Sequence, residues 1–155
     1  MKKVLLGALS VLAAALVIPA AFAASGPVNK VNGDVTFTNL GLTQHWVFNA
    51  QEGTTKGSVL DEWNGGTTIS KIVSADVIDA KTATFTTEVT SSVNNPYAHV
   101  GDRFTYTVHD LGQSTTENSG DYMTFDGWTP AGGTFQPNGG DYPITSANIQ
   151  IHFEG

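Results

Sequence analysis

Past about the first thirty residues the chain alternates apolar and polar positions with a period of two, the pattern of strands buried on one face. Asp34 to Asn39 sets Val35 and Phe37 against Thr36 and Thr38. Gln44 to Gln51 sets Trp46, Phe48 and Ala50 against His45, Val47 and Asn49. Gly57 to Trp63 predicts a third strand and Thr68 to Val77 a fourth, where Ile69 and Ile72 fall out of phase and imply a bulge. Ala83 to Ser91 is the cleanest run, with Ala83, Phe85, Thr87 and Val89 on one face. Asp102 to His109, the shorter Asp121 to Phe125 and the terminal Asn148 to Glu154 complete the set. No stretch in this part of the chain carries a helical period.

Turn-forming residues fall between these runs: Asn32-Gly33, Asn64-Gly65-Gly66, Asn94-Asn95-Pro96, Asp126-Gly127, Gly132-Gly133 and Asn138-Gly139-Gly140. About eight short strands at this spacing predict an all-β domain, either a single antiparallel β-barrel or a β-sandwich. The barrel is favoured because closure removes exposed strand edges.

The opening residues follow a different rule. Lys2 and Lys3 precede an uncharged apolar run from Val4 to Ile18, then Pro19 and Ala21-Phe22-Ala23. This is the three-part plan of a secretory signal peptide over residues 1–23. The apolar run is shorter than the ~20 residues of a spanning helix. The expected layout is thus signal peptide, a flexible lead over 24–31 and a β-domain over 32–155, with the product periplasmic or extracellular. About 130 residues remain, enough for one domain to build a core without disulfides. That matters because the chain has no Cys, which also removes thiolate metal sites, a Cys nucleophile and lipoprotein anchoring.

The formal net charge is -7, and loss of Lys2 and Lys3 with the signal makes the remainder more acidic. Such a surface repels phosphate backbones and anionic headgroups, so neither nucleic acid nor a membrane is an expected partner.

Few residue groups point to chemistry. Asp110, Glu117 and Asp121 bracket a loop rich in Gly, Ser, Thr and Asn and could offer oxygen ligands to calcium, without the spacing of an EF-hand. An ordinary solvated hairpin loop has the same composition. His45, His109 and His152 stand on polar strand faces and could hold zinc only if those strands were neighbours. Trp63 and Trp128 lie at strand ends beside Asn or Gly and are candidates for a ligand-binding surface, whereas Trp46 alternates with Phe48 and reads as core. There is no Gly-x-Ser-x-Gly elbow, phosphate loop or dinucleotide fingerprint, so no cofactor is expected.

Several stretches, taken in order, resemble small exported bacterial β-domains that occur alone or behind larger cell-surface regions, some of them following a choice-of-anchor segment. These stretches are Trp46-Val47-Phe48-Asn49-Ala50-Gln51, Lys56-Gly57, Ala83-Thr84-Phe85 and Phe104 through Gln113. Gly132-Gly133 and the terminal Asn148-Ile149-Gln150-Ile151-His152 complete the likeness. The chain departs from that pattern at Leu111-Gly112, where the family has Asn-Gly, and in the intervening Thr134 to Ala147. The resemblance implies a β-fold and export, and no activity.

The leading expectation is a secreted, non-catalytic β-domain that binds a ligand or a cell-surface partner. The alternatives are a structural or adhesive envelope module and a small barrel enzyme, a hydrolase or isomerase. The enzyme would need polar groups such as Glu88 with His109 or His152 to converge in a cavity.

Overall fold

A computed structural model describes residues 28–39, 42–112, 120–142 and 144–154. The expected signal peptide, Glu117 and residues 24–27 of the expected lead lie outside these residues. Nine strands form one sheet: β1 (Lys30–Asn39), β2 (Leu42–Gln51), β3 (Gly57–Trp63), β4 (Gly66–Asp79), β5 (Thr82–Val93), β6 (Arg103–His109), β7 (Tyr122–Thr129), β8 (Gln136–Tyr142) and β9 (Ile144–His152). The order is β8-β7-β6-β5-β4-β3-β2-β1-β9, every pairing antiparallel. The chain is therefore an up-and-down meander in which only β9 leaves sequence order, returning to flank β1. Among the described residues there is no helix.

This single sheet resolves the choice between barrel and sandwich: it curls on itself as a half-barrel. Strands four places apart in a flat sheet lie about 19 Å from each other. Yet the rings of Trp46 on β2 and Tyr106 on β6 meet edge to face with centroids 4.7 Å apart. Phe48 on β2 and Phe85 on β5 likewise stand 5.1 Å apart. Val31, Val35, Phe37, Ile72, Val108, Met123 and Ile149 complete this inner core.

The curl leaves a gap between β9 and the β6–β7 side of the sheet, and two carboxylates bridge it. Asp121 accepts the Ile149 amide at 3.0 Å and the Leu111 amide at 2.9 Å. Asp110 accepts the Ile151 amide at 3.1 Å and the Gly112 amide at 2.9 Å. Ile149 and Ile151 belong to an edge strand whose outer amides have no neighbouring ladder, so the carboxylates take the place of a missing strand.

Three expected turns are strand interior instead. Asn32-Gly33 sits within β1, which starts at Lys30, inside the expected lead, with Val31 fully buried. Gly33 pairs with Phe48, and a Cβ there would fall 2.1 Å from that ring. The glycine is thus a packing requirement, covered by the aromatic ring of its cross-strand neighbour. Asp126-Gly127 is a bulge in β7, where the pairing slips against both β6 and β8 and Gly127 takes a φ of 156°. Asn138-Gly139-Gly140 lies in β8, an edge strand that also accommodates Pro137. By contrast Asn64-Gly65 is a true two-residue turn between β3 and β4, with φ of 35° and 80°, the left-handed pair of a tight hairpin. The fourth strand has the anticipated irregularity, its register shifting after Ile69 and again after Ile72.

Candidate ligand cavity

Along the concave face the strands change character from one end to the other. On β2 the inward series runs Ala50, Phe48, Trp46, Gln44; on β5 it runs Ala83, Phe85, Thr87; on β6 it runs Val108, Tyr106, Phe104. The first members of each series pack as core. The last members do not meet, and a cavity of about 560 Å³ opens between them. That volume suits a small organic molecule.

The β4 irregularity helps to make this cavity polar. Thr68 and Ser70 turn inward and are buried, while Ile69 faces out and is 45% exposed. The connection between β5 and β6 forms one wall. Asn95 donates to the Thr68 hydroxyl at 2.9 Å, Ser92 donates to the Ala98 carbonyl at 2.7 Å, and Tyr97 lies against Trp63 with ring centroids 5.7 Å apart. Asp102 pins this wall to the β7–β8 loop. Its Oδ1 accepts the Ala131 amide at 2.9 Å and its Oδ2 the His99 amide at 2.8 Å.

Asp61 is the exceptional member. It stands on β3 directly opposite Trp46 on β2, and two residues before Trp63 on the same face. Burial pushes its carboxyl up to about 6; the Trp46 indole N–H works against that shift, and the Glu62 charge adds to it. The Trp46 N–H is near enough to favour the carboxylate but not in hydrogen-bond geometry. Trp46 Nε1, Asp61 Oδ1 and, independently, Trp63 Nε1 are buried without a hydrogen-bond partner. Among the described residues they are the side-chain atoms in that condition, and the three residues that carry them all line one cavity. Gly66 makes room for Trp63, since a Cβ there would fall 2.7 Å from its Nε1.

Of the residues singled out from sequence, Trp63 and Trp128 both line the cavity, Trp63 half-buried and Trp128 37% exposed at its mouth. Trp46 is 6% exposed and serves both core and cavity wall. Asp110 and Asp121 are together, but each of their four oxygens accepts a backbone amide. The three histidines are kept apart by separate partners. His45 contacts Asp34 at 2.8 Å and Glu62 at 3.5 Å, and the bond to Asp34 above all raises its pKa. His109 stacks on Tyr122, and His152 meets Glu154 at 2.6 Å. Among the described residues no three His, Asp or Glu side chains gather in a form that could hold a metal ion. Glu88 is paired with Lys71 and Arg103, which hold its carboxyl below the usual range, and lies outside the cavity.

Sequence reasoning missed Asp61, Gln44, Thr68 and Ser70. The available signal was phase: Asp61 shares the parity of Val59 and Trp63, so it points inward with them. No protein-family model, curated protein or solved structure matches this chain.

Proposed function

We propose that this protein is an exported, non-catalytic β-domain of the kind its sequence resembles, and that it binds a small organic ligand in the cavity on the concave face of its sheet. The observation that carries this reading is that three residues lining the cavity, Trp46, Asp61 and Trp63, each hold a buried polar atom without a hydrogen-bond partner. A buried donor or acceptor left without a partner costs about 1–3 kcal/mol. A fold retains several at one place when an incoming molecule satisfies them, and the apolar ring faces around them supply contact area.

The same geometry speaks against glycoside hydrolysis, which uses two facing carboxylates. Asp102, the other carboxylate on the cavity wall, has both oxygens occupied by backbone amides. Among the described residues no Lys or Arg lines the cavity, which disfavours nucleotides and other anions.

The test is titration of the purified protein with N-phenyl-1-naphthylamine, a neutral fluorophore that brightens in apolar surroundings. Saturable binding at one site, weakened tenfold or more by Trp63→Ala in a protein of unchanged circular dichroism, is the expected result. Absence of saturable binding, or binding indifferent to Trp63, overturns the proposal.

A further inference from the structure

Resting on that reading of the cavity, we infer that its ligand is a neutral polyhydroxylated molecule, a carbohydrate, held by the Trp46–Asp61–Trp63 cluster. The unpartnered atoms comprise two N–H donors and one carboxylate oxygen on adjacent strands. An ammonium group would satisfy Asp61 but would be driven against the positive N–H edges of both indoles. Cations favour the ring face and not that edge. An anion would suit the indoles and be repelled by Asp61. A hydroxyl group serves both, accepting from an indole N–H while donating to the carboxylate. Two or more hydroxyls on a rigid ring match donors and acceptor spaced two residues apart on one strand and opposite each other across a pair.

The rest of the wall agrees with this chemistry. Gln44, which pairs with Trp63 across β2 and β3, brings an amide that both donates and accepts. Trp63 with Tyr97 on one side, and Trp128 on another, present aromatic surface at the mouth, where the C–H face of a sugar can stack. Asp102 already accepts two backbone amides, so Asp61 is the carboxylate of the wall that holds an unpartnered oxygen.

The experiment titrates the protein with a panel of methyl glycosides and disaccharides varying at C2 and C4, by saturation-transfer NMR and tryptophan fluorescence. Benzyltrimethylammonium is the cationic probe, and N-phenyl-1-naphthylamine reports that the cavity is intact. The expected result is saturable binding of at least one glycoside, weakened tenfold or more in both Asp61→Asn and Trp63→Phe, with the fluorophore still bound. Trp63→Phe keeps an aromatic face and removes the N–H, and Asp61→Asn keeps the shape and removes the charge. If the fluorophore binds and no glycoside does, or if the ammonium probe binds through Asp61 instead, the carbohydrate inference falls and the cavity reading stands. Glycoside binding that ignores both substitutions also overturns it, because the sugar then sits elsewhere. If the fluorophore does not bind either, both readings fall together.

Discussion

Asp61 provides the sharpest quantitative test of the cavity. Its carboxyl is pushed from 3.8 to about 6, chiefly by burial. At about 1.4 kcal/mol per pH unit, that shift corresponds to about 3 kcal/mol. The sign follows from which state holds the proton more tightly. Below about pH 4 the group is protonated folded and unfolded, and it contributes no penalty. As pH rises the unfolded chain ionises first, and stability falls until the folded carboxyl has ionised too, above about pH 6. Asp61→Asn removes that titration while keeping the side-chain shape. The variant should therefore match the native protein near pH 4 and exceed it by up to about 3 kcal/mol near pH 8. In thermal unfolding that is on the order of 10 °C.

The assay is urea unfolding followed by tryptophan fluorescence at several pH values, taken as the difference between variant and native protein. Neighbouring Glu62, and Asp102 and His99 on the cavity wall, are present in both proteins, so their contributions largely cancel in that difference. A difference flat between about pH 4 and pH 8, or a variant less stable near pH 8, would refute the assignment of Asp61 as a carboxylate held at a desolvation cost.

Three further outcomes are expected. Gly33→Ala forces a Cβ into the Phe48 ring and should destabilise by about 2 kcal/mol in chemical unfolding, with Phe48→Leu in the same chain recovering part of the loss; an additive pair would contradict the contact. Asp121→Ala leaves the Ile149 and Leu111 amides without their acceptor and should cost about 2–4 kcal/mol, with faster hydrogen exchange at those two amides. Millimolar calcium should leave the thermal midpoint in place, because Asp110 and Asp121 already spend their oxygens on backbone amides; a rise by mass action would show that the metal competes successfully for them.

The elements most legible in the sequence are those in which local pattern and tertiary role coincide. The faces of β2 and β5 follow from alternation alone, because Phe48, Ala50, Ala83 and Phe85 are apolar and buried. The Asn64-Gly65 hairpin follows from turn chemistry, because φ > 0 at both positions is a local demand. The misread glycines differ in kind. Gly33 and Gly127 answer to Phe48 and to the β8 backbone, partners brought near only by folding. A Gly beside Asn or Asp looks the same in sequence whether it bends the chain or makes space for a neighbour.

The cavity was hidden for a related reason. Alternation assigns polar residues to solvent, yet Asp61, Thr68 and Ser70 occupy the inward face. Once the sheet curls, those positions are enclosed whatever their polarity. The curl itself depends on apolar contacts at the other end, where Phe48 meets Phe85 and Trp46 meets Tyr106, and on the Asp110 and Asp121 bridges to β9. The well-packed end thus holds the strands in a curvature that the polar end could not sustain alone. Polar side chains enclosed at that end are left with unmet hydrogen bonds, as at Trp46, Asp61 and Trp63. Division of labour along each strand, core at one end and open cavity at the other, is what lets a single sheet without disulfides carry a site of this kind.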